Sequence, residues 1–133
     1  MRILITIILA SILFTSCSEK RTSDPTDSYK YWAGTNPTSD VEVLKGAYWQ
    51  SGHWTREYIL YLKIKPTNKW WDEFVKQNKL QIDNGDFVKY SDPPDWFEVN
   101  DKMKIYRRAD DLTDSRYFID NVTGECYIFE IQL

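Results

Sequence analysis

The sequence predicts a single small α+β domain: an antiparallel sheet of about five to seven strands with one amphipathic helix packed on it. Three observations predict it. Short apolar segments with a two-residue period recur from residue 41 onward, and turn residues separate them. One segment, residues 67–78, switches to helical period. The chain also carries six Trp, nine Tyr and six Phe, all but Phe14 after residue 16. Aromatic side chains bury about 150–250 Å² each, so they can fill a core that no disulfide staples.

The chain opens with Met1-Arg2 and the twelve-residue apolar run ILITIILASILF, Ile3 to Phe14. A short positive segment followed by such a run is the build of a secretory signal. As a helix the run would rise only about 18 Å, short of the roughly 30 Å hydrocarbon core, so it does not read as a permanent span. Thr15-Ser16-Cys17 then resembles the lipobox of bacterial lipoproteins. That resemblance implies cleavage between Ser16 and Cys17, a diacylglycerol thioether on Cys17 and acylation of the new amine. Several acyl chains would anchor the protein on a membrane. Ser18 stands where lipoproteins kept at the inner membrane carry Asp, which points to the outer membrane. The expected organisation is a signal peptide over 1–16, a lipidated N-terminus with a flexible tether over 17–40, and a globular domain over 41–133.

Removing residues 1–16 takes away one charge, Arg2, and leaves 16 Lys and Arg against 20 Asp and Glu, a net of −4. That balance argues against nucleic acid or an anionic bilayer surface as a partner, since both call for a basic face. If Cys17 carries a lipid thioether, Cys126 has no intramolecular partner, and it reads as a small buried hydrophobe of the last strand.

Residues 18–40 are rich in Ser, Thr, Asp and Pro, the composition of a linker, with Tyr29, Tyr31 and Trp32 expected to dock on the domain. VEVLKGAYWQ and WTREYILYLKIK flank Ser51-Gly52-His53 as a hairpin. In the second arm Trp54, Tyr58, Leu60, Leu62 and Ile64 share one face, and Pro66 ends it. In TNKWWDEFVKQN, Trp70, Trp71, Phe74 and Val75 make the apolar stripe of the helix, with Thr67 or Asn68 to cap its start and Asn78 its end. Asn84-Gly85 suits a tight hairpin turn. Pro93-Pro94 make a rigid loop, and WFEV and KMKIYR read as strands about Asn100-Asp101. RYFI and ECYIFEI flank a loop over 120–124, with Gly124 at the left-handed position.

No catalytic motif is present. His53 is the only histidine, and beside Gly52 it reads as a solvated turn residue. Elbow, zinc-helix and phosphate-loop patterns are missing, and five glycines leave little room for one. Asp110, Asp111 and Asp114 share a loop, and Asp83 and Asp86 bracket a turn. Neither run has the ligand alternation of a calcium loop, so both read as turn chemistry. No metal or cofactor is implied, and no two carboxylates stand out as a hydrolytic pair. Asn121-Val122-Thr123 matches a glycosylation sequon but sits in a turn. Trp49, Trp54, Trp70, Trp71 and Trp96 are the candidate binding aromatics, although core packing claims most of them. The function expected is a lipid-anchored envelope protein with a non-catalytic binding domain. Its partner is an envelope or secreted protein, or alternatively a glycan stacked on the tryptophans; a carboxylate hydrolase is the third reading.

Overall fold

Alternation in β7, Cys126–Gln132, organises the molecule. Cys126, Ile128 and Glu130 point to one face of the sheet while Tyr127 and Phe129 point to the other, and all five are buried. A strand loaded on both sides must be central with both faces covered. The structure, a computed structural model, describes residues 18–85, 92–110 and 113–133. Its sheet has seven antiparallel strands in the order β1-β2-β3-β7-β6-β5-β4. They are β1 (Lys20–Thr22), β2 (Val41–Gln50), β3 (Tyr58–Pro66), β4 (Leu80–Ile82), β5 (Lys104–Arg108), β6 (Arg116–Ile119) and β7. Two helices accompany them, α1 (Pro25–Ala33) and α2 (Asn68–Gln77). The α+β class holds, with the strand count at the upper end of the expected range.

The expected helix is α2. Thr67 is its N-cap, accepting from the Trp70 amide, and the Asn78 amide closes the last turn on Phe74 and Lys76. Its stripe packs Trp71 and Phe74 onto Tyr106 and Tyr117 of the sheet. The β6–β7 hairpin also forms as expected, with Gly124 at φ 75° and the Asp120 carboxylate accepting from the Val122 and Thr123 amides.

The tether expected over 17–40 needs correction. Lys20–Thr22 pairs with β2, and 25–33 is a second helix. Asp24 caps it by accepting from the Asp27 amide, Pro25 occupies the first turn, where a missing N–H is harmless, and Gly34 ends it at φ 73°. Ser28 is fully buried against β2, which is possible because residue 46 is glycine. Two more corrections concern strands. β3 begins at Tyr58, so Trp54 lies outside it in the 51–57 loop. Trp96–Val99 is no strand: Phe97 donates to the Pro94 carbonyl and the segment turns. Of the expected Asn84-Gly85 hairpin, the first arm is β4, which pairs with β5, and residues 87–90 lie outside the described set.

The turning segment decides where the second core sits. On the helix side, Leu60, Leu62, Ile64, Tyr117 and Ile128 pack under α1 and α2. On the opposite face, Phe97 and Met103 cover Tyr61, Phe118, Tyr127 and Phe129. Among the described residues, no helix is long and apolar enough to cross a membrane.

Candidate functional site

The register brings a row of polar side chains together at one end of the helix-side face. Lys20 is opposite Gln50, Gln50 opposite Tyr58, and Tyr58 opposite Gln132, so four adjacent strands each contribute one residue to the row. Two residues further in, the next row reads Tyr48, Leu60 and Glu130. Glu130 therefore occupies a core position, 4% exposed.

A buried carboxylate is costly unless paired and hydrogen-bonded, and this one is both. The Tyr117 hydroxyl donates to Oε1 at 2.6 Å, the Tyr58 hydroxyl donates to Oε2 at 2.7 Å, and Arg108 Nη2 lies 3.8 Å from Oε1. Arg108 in turn donates to Asn78 Oδ1 at 3.3 Å, linking the network to the end of α2. Burial pushes both phenols well above the ordinary tyrosine range, and the Glu130 charge pushes them further. The hydroxyls thus keep their protons and act as donors.

Tyr58 stands between two clefts. One, of about 350 Å³, is bordered by Tyr31, Tyr48 and Tyr58, with Gln50, Gln132 and Arg56 at its edges. The Tyr48 and Tyr58 rings stack at 5.9 Å, Tyr31 lies 5.4 Å from Tyr48, and the Lys20 ammonium is 5.1 Å over Tyr31. The other, of about 270 Å³, holds Glu130, Tyr117, Arg108, Thr113 and Ser115. Glu130 is its one carboxylate among the described residues, so the pair of carboxylates that glycoside hydrolysis needs is not assembled there. A third, more open groove of about 970 Å³ runs over the opposite face. Ala47, Trp49, Ile59, Tyr61 and Pro94 form its apolar floor, and Arg21, Thr22, Ser23, Asp24 and Asp92 its polar rim.

No known protein family, curated protein or solved structure matches this chain. The reading of the site rests on its own geometry.

The five tryptophans singled out from the sequence do not form one platform. Trp70 stacks on Phe74 at 5.1 Å, half-buried on α2, and Trp71 is buried beside it. Trp96 packs edge-on against Phe97 on the opposite face. Trp49 borders the open groove and donates to Glu19 Oε1 at 2.9 Å; the Arg21 hydrogen bond, and after it this one, hold the Glu19 carboxyl below its usual range. Trp54 is 99% exposed in the 51–57 loop. The aromatics that do converge are tyrosines, and the strand pairing is what gathers them.

Ser16, Cys17, Asp86 and Asp111 lie outside the described residues. His53 is exposed in the 51–57 loop. Asp83 is engaged by Arg116 at 2.7 Å and by the Gly85 amide, and Asp110 and Asp114 are exposed. Among the described residues, no three His, Cys, Asp or Glu side chains group as a metal site. Cys126 is buried, and burial pushes its thiol well above the ordinary range.

Proposed function

We propose that this chain is a lipid-anchored envelope protein, held at the outer membrane through Cys17, whose domain binds a polypeptide partner without catalysing a reaction. The open groove carries the binding part of this reading. An apolar floor with a polar rim is the anatomy of a protein-contact surface, and the half-buried floor residue Trp49 is of a type that dominates such contacts. The lipobox-like Thr15-Ser16-Cys17 supports the anchor.

Two experiments test it. Palmitate labelling of the wild type and Cys17→Ala is expected to show incorporation only in the wild type; equal labelling removes the anchor. A photo-crosslinking amino acid in place of Trp49 is expected to trap a discrete envelope or secreted polypeptide in cells, and Ala47→Glu to abolish the adduct. Absence of any adduct, or one indifferent to Ala47→Glu, removes the groove.

A second reading has its own support. Three tyrosine rings around a small cleft edged by Gln50, Gln132 and Arg56 offer flat faces and hydrogen-bond donors of the kind a sugar ring uses. Saturation-transfer NMR with neutral mono- and disaccharides tests it: signal that Tyr48→Ala abolishes supports the glycan, and no signal from any sugar rejects it.

A further inference from the structure

Among the described residues, Trp54 is the most exposed large hydrophobic side chain. Its indole is 99% exposed, and large aromatics are expensive to leave in water. Its position relative to the chain start gives the exposure a meaning. β1 is antiparallel to β2 with Lys20 opposite Gln50, the last residue of β2 before the 51–57 loop. The chain preceding Lys20 therefore leaves the sheet at the end that carries this loop. Only Ser18 and Glu19 separate Cys17 from β1, and three extended residues reach about 11 Å at most. Where a flexible tether over 17–40 could hold the domain well clear of an anchor, a strand starting at Lys20 cannot.

The same end collects further features that suit a lipid–water boundary. Tyr31 is 45% exposed there, and Leu133, next to Gln132 of the row, is 78% exposed. Lys20 and Arg56 border the small cleft, and among the described residues neither forms an ion pair. Among the described residues, the carboxylates at this end are Glu19, paired with Arg21 at 3.1 Å, Glu57, which accepts from Thr55 at 3.4 Å, and, across the sheet between β5 and β6, the exposed Asp110 and Asp114. The side suited to headgroups is therefore the β1–β3 side that carries Lys20 and Arg56. Amphipathic aromatics with cations close by are what anchors proteins at headgroup depth.

We propose that this end of the sheet lies on the membrane, with the Trp54 indole seated at the lipid–water interface and Lys20 and Arg56 against anionic headgroups. The proposal rests on the reading of Cys17 as a lipid anchor. It fixes the orientation of the domain: the strands stand on the bilayer by the 51–57 loop, and the open groove of Trp49 and Tyr61 faces sideways, accessible to a partner.

The test uses the full-length acylated protein reconstituted in vesicles of phosphatidylcholine and phosphatidylglycerol that contain brominated phosphatidylcholine as a contact quencher of indole fluorescence. Quenching of the wild type is expected, and Trp54→Phe is expected to remove most of it while Trp49→Phe leaves it in place. Lys20→Gln with Arg56→Gln is expected to reduce Trp54 quenching as the phosphatidylglycerol fraction rises. Wild type and Trp54→Phe quenched alike would overturn the proposal, although the anchor reading would survive if both proteins still float with the vesicles. Wild type that fails to float overturns both. Trp54 quenching indifferent to the double substitution and to phosphatidylglycerol removes the headgroup contact.

Discussion

The Tyr117 hydroxyl donates to Glu130 Oε1 at 2.6 Å across the β6–β7 pair, with Tyr117 fully buried and Glu130 nearly so. That bond and its counterpart from Tyr58 let a carboxylate occupy a position where Ile128 and Cys126 sit one and two steps along the same face. Removing one partner leaves a buried charge short of a donor, which costs more than the bond itself contributes. Tyr117→Phe is expected to lower stability by about 1–3 kcal/mol, and Glu130→Gln by a similar amount, since the amide nitrogen cannot accept the hydroxyl hydrogen bond that one carboxylate oxygen now receives. Denaturant midpoints at constant slope check both; an unchanged midpoint in Tyr117→Phe would mean the bond does not form.

Alkaline stability follows from the same tyrosines. Burial raises Tyr58 and Tyr117 above their ordinary value of 10, and Tyr29, Tyr48 and Tyr61 are raised as well. The unfolded chain releases these protons as pH passes about 10, whereas the folded chain holds them to higher pH. The stabilisation is therefore fully present below about pH 10 and is lost on going higher. The thermal midpoint is expected to be flat from neutrality to about pH 9 and to fall beyond about pH 10, less steeply in Tyr58→Phe. Phenolate absorbance should rise together with unfolding rather than ahead of it for these residues.

The strand register that builds this site was partly readable beforehand. The parity of ECYIFEI places Glu130 with Cys126 and Ile128, so an inward carboxylate was visible as an anomaly of the alternation. Its donors were not, because Tyr58 is 72 residues away and nothing local ties the two. α2 was readable because its stripe is strongly apolar. α1 was hidden by its polar composition, although Asp24-Pro25 and Gly34 are a start and a stop signal nine residues apart. A helix that buries little more than Ser28 and Tyr29 gives periodicity almost nothing to detect.

Gly46 tests that hidden helix directly. A Cβ there would lie 2.6 Å from both Cβ and Oγ of Ser28 and 3.1 Å from the Pro25 Cα, so α1 would have to move off β2. Gly46→Ala is expected to destabilise by about 1–3 kcal/mol, the usual cost of forcing extra volume into a packed contact. Ser28→Gly in the Gly46→Ala background should recover part of the loss, less the helix propensity that glycine forfeits. A cost-free Gly46→Ala would mean residues 25–33 do not pack there and the linker reading was right.

Trp96 and Phe97 belong to the four-residue run WFEV, which has the pattern of a strand and forms a plug. Alternation cannot tell the two apart over so short a length. In a strand, neighbouring side chains would point to opposite faces and either could be the buried one. In the turn that forms, Phe97 alone is enclosed, with ring centroids 5.0 Å from Tyr61, 5.5 Å from Tyr127 and 6.2 Å from Phe118, while Trp96 stays half-buried at its edge. Phe97→Ala removes the ring that those three share and opens a cavity the sheet cannot collapse into, at an expected cost of about 3–5 kcal/mol. Trp96→Ala deletes a larger side chain yet should cost less, about 1–2 kcal/mol, because much of its surface is already in water. Measured by chemical denaturation, that inversion of size and cost separates a plug from a strand; a larger loss for Trp96→Ala would put Trp96, rather than Phe97, at the centre of the second core.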